Sequence, residues 1–399
     1  MNLILYLLTT VLAVPSLVFF IECVFGAVAK GSNPHYKSED TERSQLAVLI
    51  PAHNEEKTLG GTLMALKSEL RSGDRVIVIA DNSTDSTASI ARYMDVEVVE
   101  RVNDANRGKG FALASGVNYL AKNPPDILVL LDADTLVEPG SLDVLRGTVV
   151  RLKTPAQALY LLAAPPIPSV RDLISTLAFT VKNQARPAAL EMFGMPCQIT
   201  GSGVALPWTA LQYVNLSSGN LVEDMQLGID LAIAGFTPVH CSSARVTGSL
   251  PSGSIASAGQ RTRWEHGHVR TLFTQVPRLA REAVRQRRLT LMIMALDLCV
   301  PPLSLLVLLL AMNFTLGLTW ALATYQLGPL LVSSAALVIV GIGVFSVWFR
   351  HGRATISLGQ LLLVPAYLLW KIPIYASLLF KPQRTWVRTP RDNSVESSL

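Results

Sequence analysis

The chain has 399 residues, half of them apolar and only 16% charged, with a mean hydropathy of +0.38. Soluble globular proteins carry about 25% charged residues, so this deficit points to a membrane and excludes a disordered or collagen-like chain. Four cysteines (Cys23, Cys197, Cys241, Cys299) stand far apart with no CxxC or Cys/His spacing. That excludes a disulfide scaffold and a structural zinc site, and it fits reducing surroundings. The net charge of +5 is unevenly placed along the chain.

Residues 3–21 form 19 consecutive positions without a charge, and the apolar character continues past Glu22 to Ala29. About 20 apolar residues cross a bilayer. No Lys or Arg precedes this run, and the first one, Lys30, follows it. A cleaved signal peptide has a basic start and a shorter apolar core, so residues 1–30 are predicted to be an uncleaved anchor.

Residues 31–288 have ordinary polar content and are predicted to be one soluble domain. From Gln45 the pattern alternates between strand and helix. Ala47 to Ile50 is a short apolar run ending in Pro51, which suits a buried parallel strand. Leu59, Leu63, Leu66 and Leu70 recur at helical spacing. Arg75–Ala80 is the next strand, Ser86–Met94 a helix, Val96–Val99 a strand, Gly108–Leu120 a helix and Ile127–Leu131 a fourth strand. Such alternation implies a mostly parallel, Rossmann-like α/β sheet, and ligands of such sheets sit at the carboxyl ends of the strands.

The polar groups at those ends are therefore the candidate site. His53 and Glu55 follow the first strand, where a nucleotide sugar would lie. Asp81 ends the second and suits a hydrogen-bond acceptor for a base or ribose, although an Asp there also caps the next helix. Lys109 stands between Gly108 and Gly110, where a phosphate can approach; an exposed loop lysine has the same look. The fourth strand ends in Asp132-Ala133-Asp134. Two carboxylates one residue apart offer hard oxygen ligands to Mg²⁺ or Mn²⁺, which would neutralise a departing diphosphate. A solvated turn also favours Asp, and it is the surrounding pattern that decides. No GxGxxG or GxxxxGK[ST] is present, so dinucleotide and P-loop sites have no support.

Further along, Gly201-Ser202-Gly203 reads as a loop near an acceptor or as a plain turn. Glu223-Asp224 opens a helical run, as a helix cap or, for Asp224, as a general base taking a proton from an acceptor hydroxyl. Gln260, Arg263 and Trp264 precede the second apolar region, Arg263 suited to a diphosphate and Trp264 to stacking on an acceptor sugar. Arg and Trp also mark membrane surfaces. His266 and His268, two apart, point to different faces of a helix and do not make a metal pair. Residues 155–196 carry no readable code beyond a Pro-rich start that leads into an amphipathic segment.

Residues 261–288 hold eight Arg and two acids, a charge expected to face anionic lipid on the cytoplasmic side. The soluble domain is then inside and the N-terminus outside. Residues 289–349 contain one charge, Asp297, in room for two spans joined by a loop around Asn313 to Gln326. A charge within a span is by default functional, or it snorkels to the interface. The loop Arg350 to Arg353 is basic and cytoplasmic by the positive-inside rule. Residues 354–380 are broken by Pro365 and Pro373. They are expected to lie partly in the interface, which keeps the basic tail (Lys381, Arg384, Arg388, Arg391; residues 381–399) inside. The membrane-associated region is thus 289–380.

Asp81, then Asp132 with Asp134, then Glu223-Asp224, then Gln260 with Arg263-Trp264 stand in an order that resembles the membrane-integrated family 2 glycosyltransferases of the GT-A fold. That group includes cellulose, chitin and hyaluronan synthases and ceramide glucosyltransferases. The resemblance covers residues 45–270. It implies inverting transfer of a sugar from a nucleotide sugar, usually a UDP-sugar, to a lipid-linked or saccharide acceptor in exopolysaccharide or glycolipid assembly. Asp224 would be the base, beside Glu223. Asp132 and Asp134 would hold the cation, with Arg263 on the leaving diphosphate. A processive synthase that also translocates its polymer is the alternative. The second-strand motif here is Asp-Asn-Ser-Thr-Asp rather than Asp-Asp-Gly-Ser, and Val222 precedes the acidic pair where Thr is commoner.

Overall fold

The computed structural model describes residues 2–31, 39–217, 222–250 and 254–380. The basic tail expected to stay inside lies outside the described residues. The chain divides into two compact units, one from the described parts of 31–165 and 196–264, the other from 2–30, 166–195 and 265–380. This differs from the linear division read from sequence: residues 166–195 and the segment from Glu265 onward group with the apolar helices.

The elements run α1 (Asn2–Val28), α2 (Glu39–Arg43), β1 (Leu46–Ala52), α3 (Leu59–Lys67), β2 (Arg75–Asp81), α4 (Thr87–Tyr93) and β3 (Glu97–Arg101). Then come α5 (Lys109–Leu120), β4 (Ile127–Leu130), β5 (Leu136–Val137), α6 (Ser141–Leu152) and β6 (Ala156–Ala163). After α7 (Val170–Thr180) and α8 (Arg186–Met192) follow β7 (Val204–Pro207), α9 (Glu223–Ile233), β8 (Val239–Ser249) and α10 (Ser254–Gln286). The chain continues through α11 (Leu289–Leu298), α12 (Leu303–Thr324), α13 (Gly328–Val347), α14 (Leu358–Leu361) and α15 (Val364–Phe380).

In the first unit one sheet runs in the order β3-β2-β1-β4-β7-β6-β8-β5. The pairs β3–β2, β2–β1 and β1–β4 are parallel, whereas β7 runs antiparallel to β4 and β6. The apolar run of β1 is explained by burial on both faces. Leu46, Val48 and Ile50 meet Leu59, Leu63 and Leu66 of α3 in one core. Ala47 and Leu49, pointing the other way, share the second core with Ala112, Leu113 and Leu120 of α5. A period of two across two apolar layers requires this continuous pattern. All four strands expected between Gln45 and Leu131 form, within a residue or two of the expected ends.

Among the described residues of the second unit four helical segments are long and apolar enough to cross a membrane: Leu5–Val28, Leu303–Thr324, Gly328–Gly352 and Leu358–Leu378. The loop expected over Asn313 to Gln326 narrows to residues 325–327 at its far end, because Asn313 is buried in α12 and its Nδ2 donates to Thr9 Oγ1 of α1 at 3.3 Å. A polar side chain that finds a partner does not break an apolar helix. The segment expected to be partly interfacial is long enough to span: Pro365 sits in the first turn of α15, where a missing N–H costs nothing, and Pro373 is accommodated inside the helix.

Asp297 is not in a span. It closes α11, a 10-residue helix that ends before Pro301-Pro302. Instead of snorkelling it is buried, 2.6 Å from Arg186 of α8, which also reaches Glu22 of α1 at 2.6 Å. In the same unit Lys371 of α15 pairs with Glu265, whose other oxygen accepts from Tyr375 at 2.6 Å. His266 bonds the carbonyl of Ile374 at 2.9 Å, so the His266-Gly267-His268 run packs helices together.

Candidate active site

Four strand ends and two helix starts supply the site in the sheet unit. After β1, His53 Nδ1 lies 2.6 Å from the carbonyl oxygen of Asp81 at the end of β2. A carbonyl only accepts, so Nδ1 carries the hydrogen. Asn54 and Asn82 follow in left-handed conformations (φ 56° and 49°) that turn the chain sharply off each strand. The Asp81 carboxylate pairs with Arg101 from the end of β3, both side chains being mostly buried. Glu55 serves locally: its Oε2 accepts from Thr58 at 2.8 Å and its N–H donates to Thr87 Oγ1 at 2.8 Å, fixing the start of α3.

The Asp132-Ala133-Asp134 turn is held from beneath. Asp132 N–H donates to Ser202 Oγ at 2.9 Å, and Thr135 N–H donates back to the Asp132 carbonyl at 3.1 Å. Ser202 is fully buried, so its hydroxyl supports this turn rather than facing an acceptor. Gln157 of β6 donates to the Ser202 carbonyl at 2.9 Å and accepts from Thr200 N–H at 2.8 Å, which fixes the loop on either side of Gly201.

Asp224, at the start of α9, is gripped by two backbone amides. Its Oδ2 accepts from Gly201 N–H at 2.6 Å and its Oδ1 from Met225 N–H at 2.8 Å. Gly201 has φ of 64°, a left-handed turn that aims its amide at the carboxylate and that glycine adopts without strain. Its carbonyl accepts from Lys109 Nζ at 2.9 Å. Lys109 is the first residue of α5, behind Gly108 with φ of 128°. Its ammonium stands 2.5 Å from Asp132 Oδ1 and 4.0 Å from Glu223 Oε1.

These groups share one electrostatic neighbourhood. Burial alone would lower the Lys109 ammonium, but Asp132, Glu223 and Asp224 outweigh it and hold Lys109 above its ordinary range. Burial pushes the Glu223 carboxyl up to about 7, with Lys109 opposing and Asp224 adding to the rise. Tyr160 of β6 carries the strongest sign of convergence. Its phenol is raised by burial and then by the carboxylates of Asp132, Asp134 and Asp224 together. Three acids from two distant parts of the chain thus act on one hydroxyl.

The structure therefore brings together Lys109, Asp132, Asp134, Gly201, Ser202, Glu223 and Asp224, and sets His53 and Asp81 at the ends of the adjacent strands. Gln260, Arg263 and Trp264 lie on the early turns of α10, spaced three and four apart and so on one helix face, each partly buried. Sequence reading missed Arg101, Gln157 and Tyr160. Among the described residues no three His, Cys, Asp or Glu side chains stand close enough to hold a metal alone. Asp132 and Asp134 would be the protein's ligands to Mg²⁺ or Mn²⁺ in a site that leaves positions for water and phosphate, and the Lys109 ammonium stands on Asp132 as a cation would.

This sheet, with acids at the carboxyl ends of its parallel strands, has the GT-A arrangement. Residues 44–267 match the family described as glycosyltransferase-like family 2, and the protein belongs to that family. Among curated relatives, a probable glycosyltransferase of Bacillus subtilis is 34% identical over 113 residues, 26% of each chain. The 4,4′-diaponeurosporenoate glycosyltransferase of Staphylococcus haemolyticus is 37% identical over 102 residues, 25% of this chain and 26% of that one. The chain thus spans about a quarter of the length of these relatives. Among solved structures, a mannosyltransferase of Pyrobaculum calidifontis in complex with GDP-Man and Mn²⁺ superposes with a TM-score of 0.52 at 17% identity, over 94% of this chain and 100% of that one.

Proposed function

We propose that the protein moves a hexose from a nucleotide sugar, with UDP as the nucleotide, to the hydroxyl of a lipid-linked or saccharide acceptor in exopolysaccharide or glycolipid assembly. The observation that carries this reading is Asp224, fixed by two amides beside Asp132, Lys109 and the field that also includes Asp134. Asp224 takes the proton of the acceptor hydroxyl as that oxygen bonds to the anomeric carbon. The bond from that carbon to the diphosphate breaks on the opposite side, which inverts the centre in one displacement. In this reading His53, Asp81 and the Glu55 turn take the nucleotide, Gln260 and Arg263 the diphosphate, and Trp264 the acceptor ring. Asp132 and Asp134 would hold Mg²⁺ or Mn²⁺, which when bound neutralises charge on the departing diphosphate.

The four apolar segments support a multi-pass protein of the inner (plasma) membrane. The Arg-rich stretch of α10, with Arg270, Arg281 and Arg285 exposed, supports a catalytic unit on the cytoplasmic side against anionic lipid. A relative named for 4,4′-diaponeurosporenoate favours transfer to an apolar acceptor over polymer synthesis. The test is nucleoside-diphosphate release from a panel of nucleotide sugars, using membranes that carry the protein, with and without EDTA. Release from at least one donor that EDTA abolishes is expected. No release from any donor, or release that EDTA leaves untouched, refutes the reading, and product length separates single transfer from a processive synthase.

A further inference from the structure

We infer that Lys109 is an internal counter-ion that must leave Asp132 before a divalent cation settles there, and that the donor's diphosphate draws it away, so that cation and nucleotide bind as one coupled event. This deepens the proposed function and rests on its reading of donor and cation.

The geometry makes the two cations competitors. Lys109 Nζ sits 2.5 Å from Asp132 Oδ1, where a magnesium ion would take its own bond of about 2.0–2.1 Å. Two positive charges on the same carboxylate oxygen repel strongly in a partly dry site. Lys109 Nζ is held between Asp132 Oδ1 and the Gly201 carbonyl at 2.9 Å, so it has to move aside before a cation takes that oxygen.

Its alternative partner is supplied by its own position. Lys109 opens α5, a 12-residue helix, and Gly108 ahead of it carries no side chain. The amides of a helix start and a nearby ammonium together favour an anionic phosphate. Four methylenes let the ammonium swing toward such a group without moving the backbone. The exchange also spares the base. When Lys109 leaves the Gly201 carbonyl, the Gly201 N–H still holds Asp224 at 2.6 Å. Without nucleotide, Lys109 therefore weakens cation binding; with nucleotide it strengthens the ternary assembly. By linkage the cation improves nucleotide affinity by the same factor.

The test is Mn²⁺ binding to the full-length protein in detergent, followed by the electron paramagnetic resonance signal of free Mn²⁺, without donor sugar and with or without UDP. Wild type is expected to bind Mn²⁺ at least about tenfold more tightly with UDP than without, a coupling of ordinary size. Lys109→Met and Lys109→Gln are expected to bind Mn²⁺ alone about tenfold more tightly than wild type, and to gain less from UDP than wild type does. Lys109→Arg, which keeps the charge, is expected to behave as wild type. A poorly folded variant would bind less, so tighter binding is not an artefact of damage. Mn²⁺ binding by both neutral variants that is equal to or weaker than wild type, or Lys109→Arg binding as tightly as Lys109→Met, overturns the exchange alone. No Mn²⁺ binding by any form with UDP present overturns the proposed function as well.

Discussion

In the helical unit the buried charges of two clusters, among the described residues, are closed off by partners. Arg186 lies 2.6 Å from both Glu22 and Asp297, and the two oxygens of Glu265 are taken by Lys371 and Tyr375. In the sheet unit, Asp132, Asp134, Glu223 and Asp224 gather near a single ammonium, Lys109. The first arrangement fastens helices within one unit; the second gathers acids from two distant parts of the chain at the carboxyl ends of the strands, where ligands of such sheets sit. Buried ionisable groups mark function by where they converge rather than by burial alone.

The largest expected effect sharpens the open cluster. Asp224→Asn keeps the shape but cannot take a proton, and because its NH2 cannot accept it keeps only one of the two amide contacts, so transfer should fall by about 10²–10⁴-fold with nucleotide affinity unchanged and the melting temperature lowered slightly. Transfer rates on a donor that wild type accepts measure it, and a variant as active as wild type removes Asp224 from the mechanism. The closed cluster predicts the reverse. Arg186→Met leaves two buried carboxylates without their cation and should cost about 3–5 kcal/mol of stability. If the melting temperature in detergent does not fall, the cluster is not a fastener. Lys371→Met with Glu265→Gln, which removes both charges of the other pair, should be far milder than Lys371→Met alone.

A third buried group separates burial from function altogether. His240, on β8, has no hydrogen-bond partner on either ring nitrogen among the described residues, and burial lowers its imidazole from 6.5 to about 4. The unfolded chain takes up a proton near pH 6.5 and the folded chain resists until near pH 4. Stability is therefore unaffected above that window and falls as pH drops through it, by about 2 kcal/mol at pH 5. His240→Leu should flatten that part of the melting-temperature profile; an unchanged slope assigns the acid sensitivity elsewhere. The smallest effect is at Gly201, where Ala must adopt a left-handed backbone at a cost of about 1 kcal/mol. A modest fall in melting temperature with a larger loss of transfer would show that the Gly201 turn aims Asp224.

The strands up to Leu131 were legible because β1 and β4 are buried on both faces, and only continuous apolar runs satisfy two cores at once. The acids were legible because they follow those strands directly. Arg101 and Tyr160 were not, since each meets its acids through the sheet's register and no local pattern records that pairing. The expected loop began too early, at Asn313, because a polar residue in an apolar run resembles a loop until its partner, Thr9, is known. Ser169 and Asp172 form a capping box that opens α7, a signal present in residues 155–196 but passed over. Pro301-Pro302 likewise marked the end of α11 and so the place of Asp297.

The most direct measurement is anomalous diffraction from crystals of the protein grown with Mn²⁺ and UDP. One manganese peak touching Asp132 and Asp134, with Lys109 turned to the diphosphate and Asp224 still on the Gly201 amide, is the predicted result. A manganese ion bound away from Asp134, or nucleotide lying in a cavity that Asp224 does not border, would contradict the account.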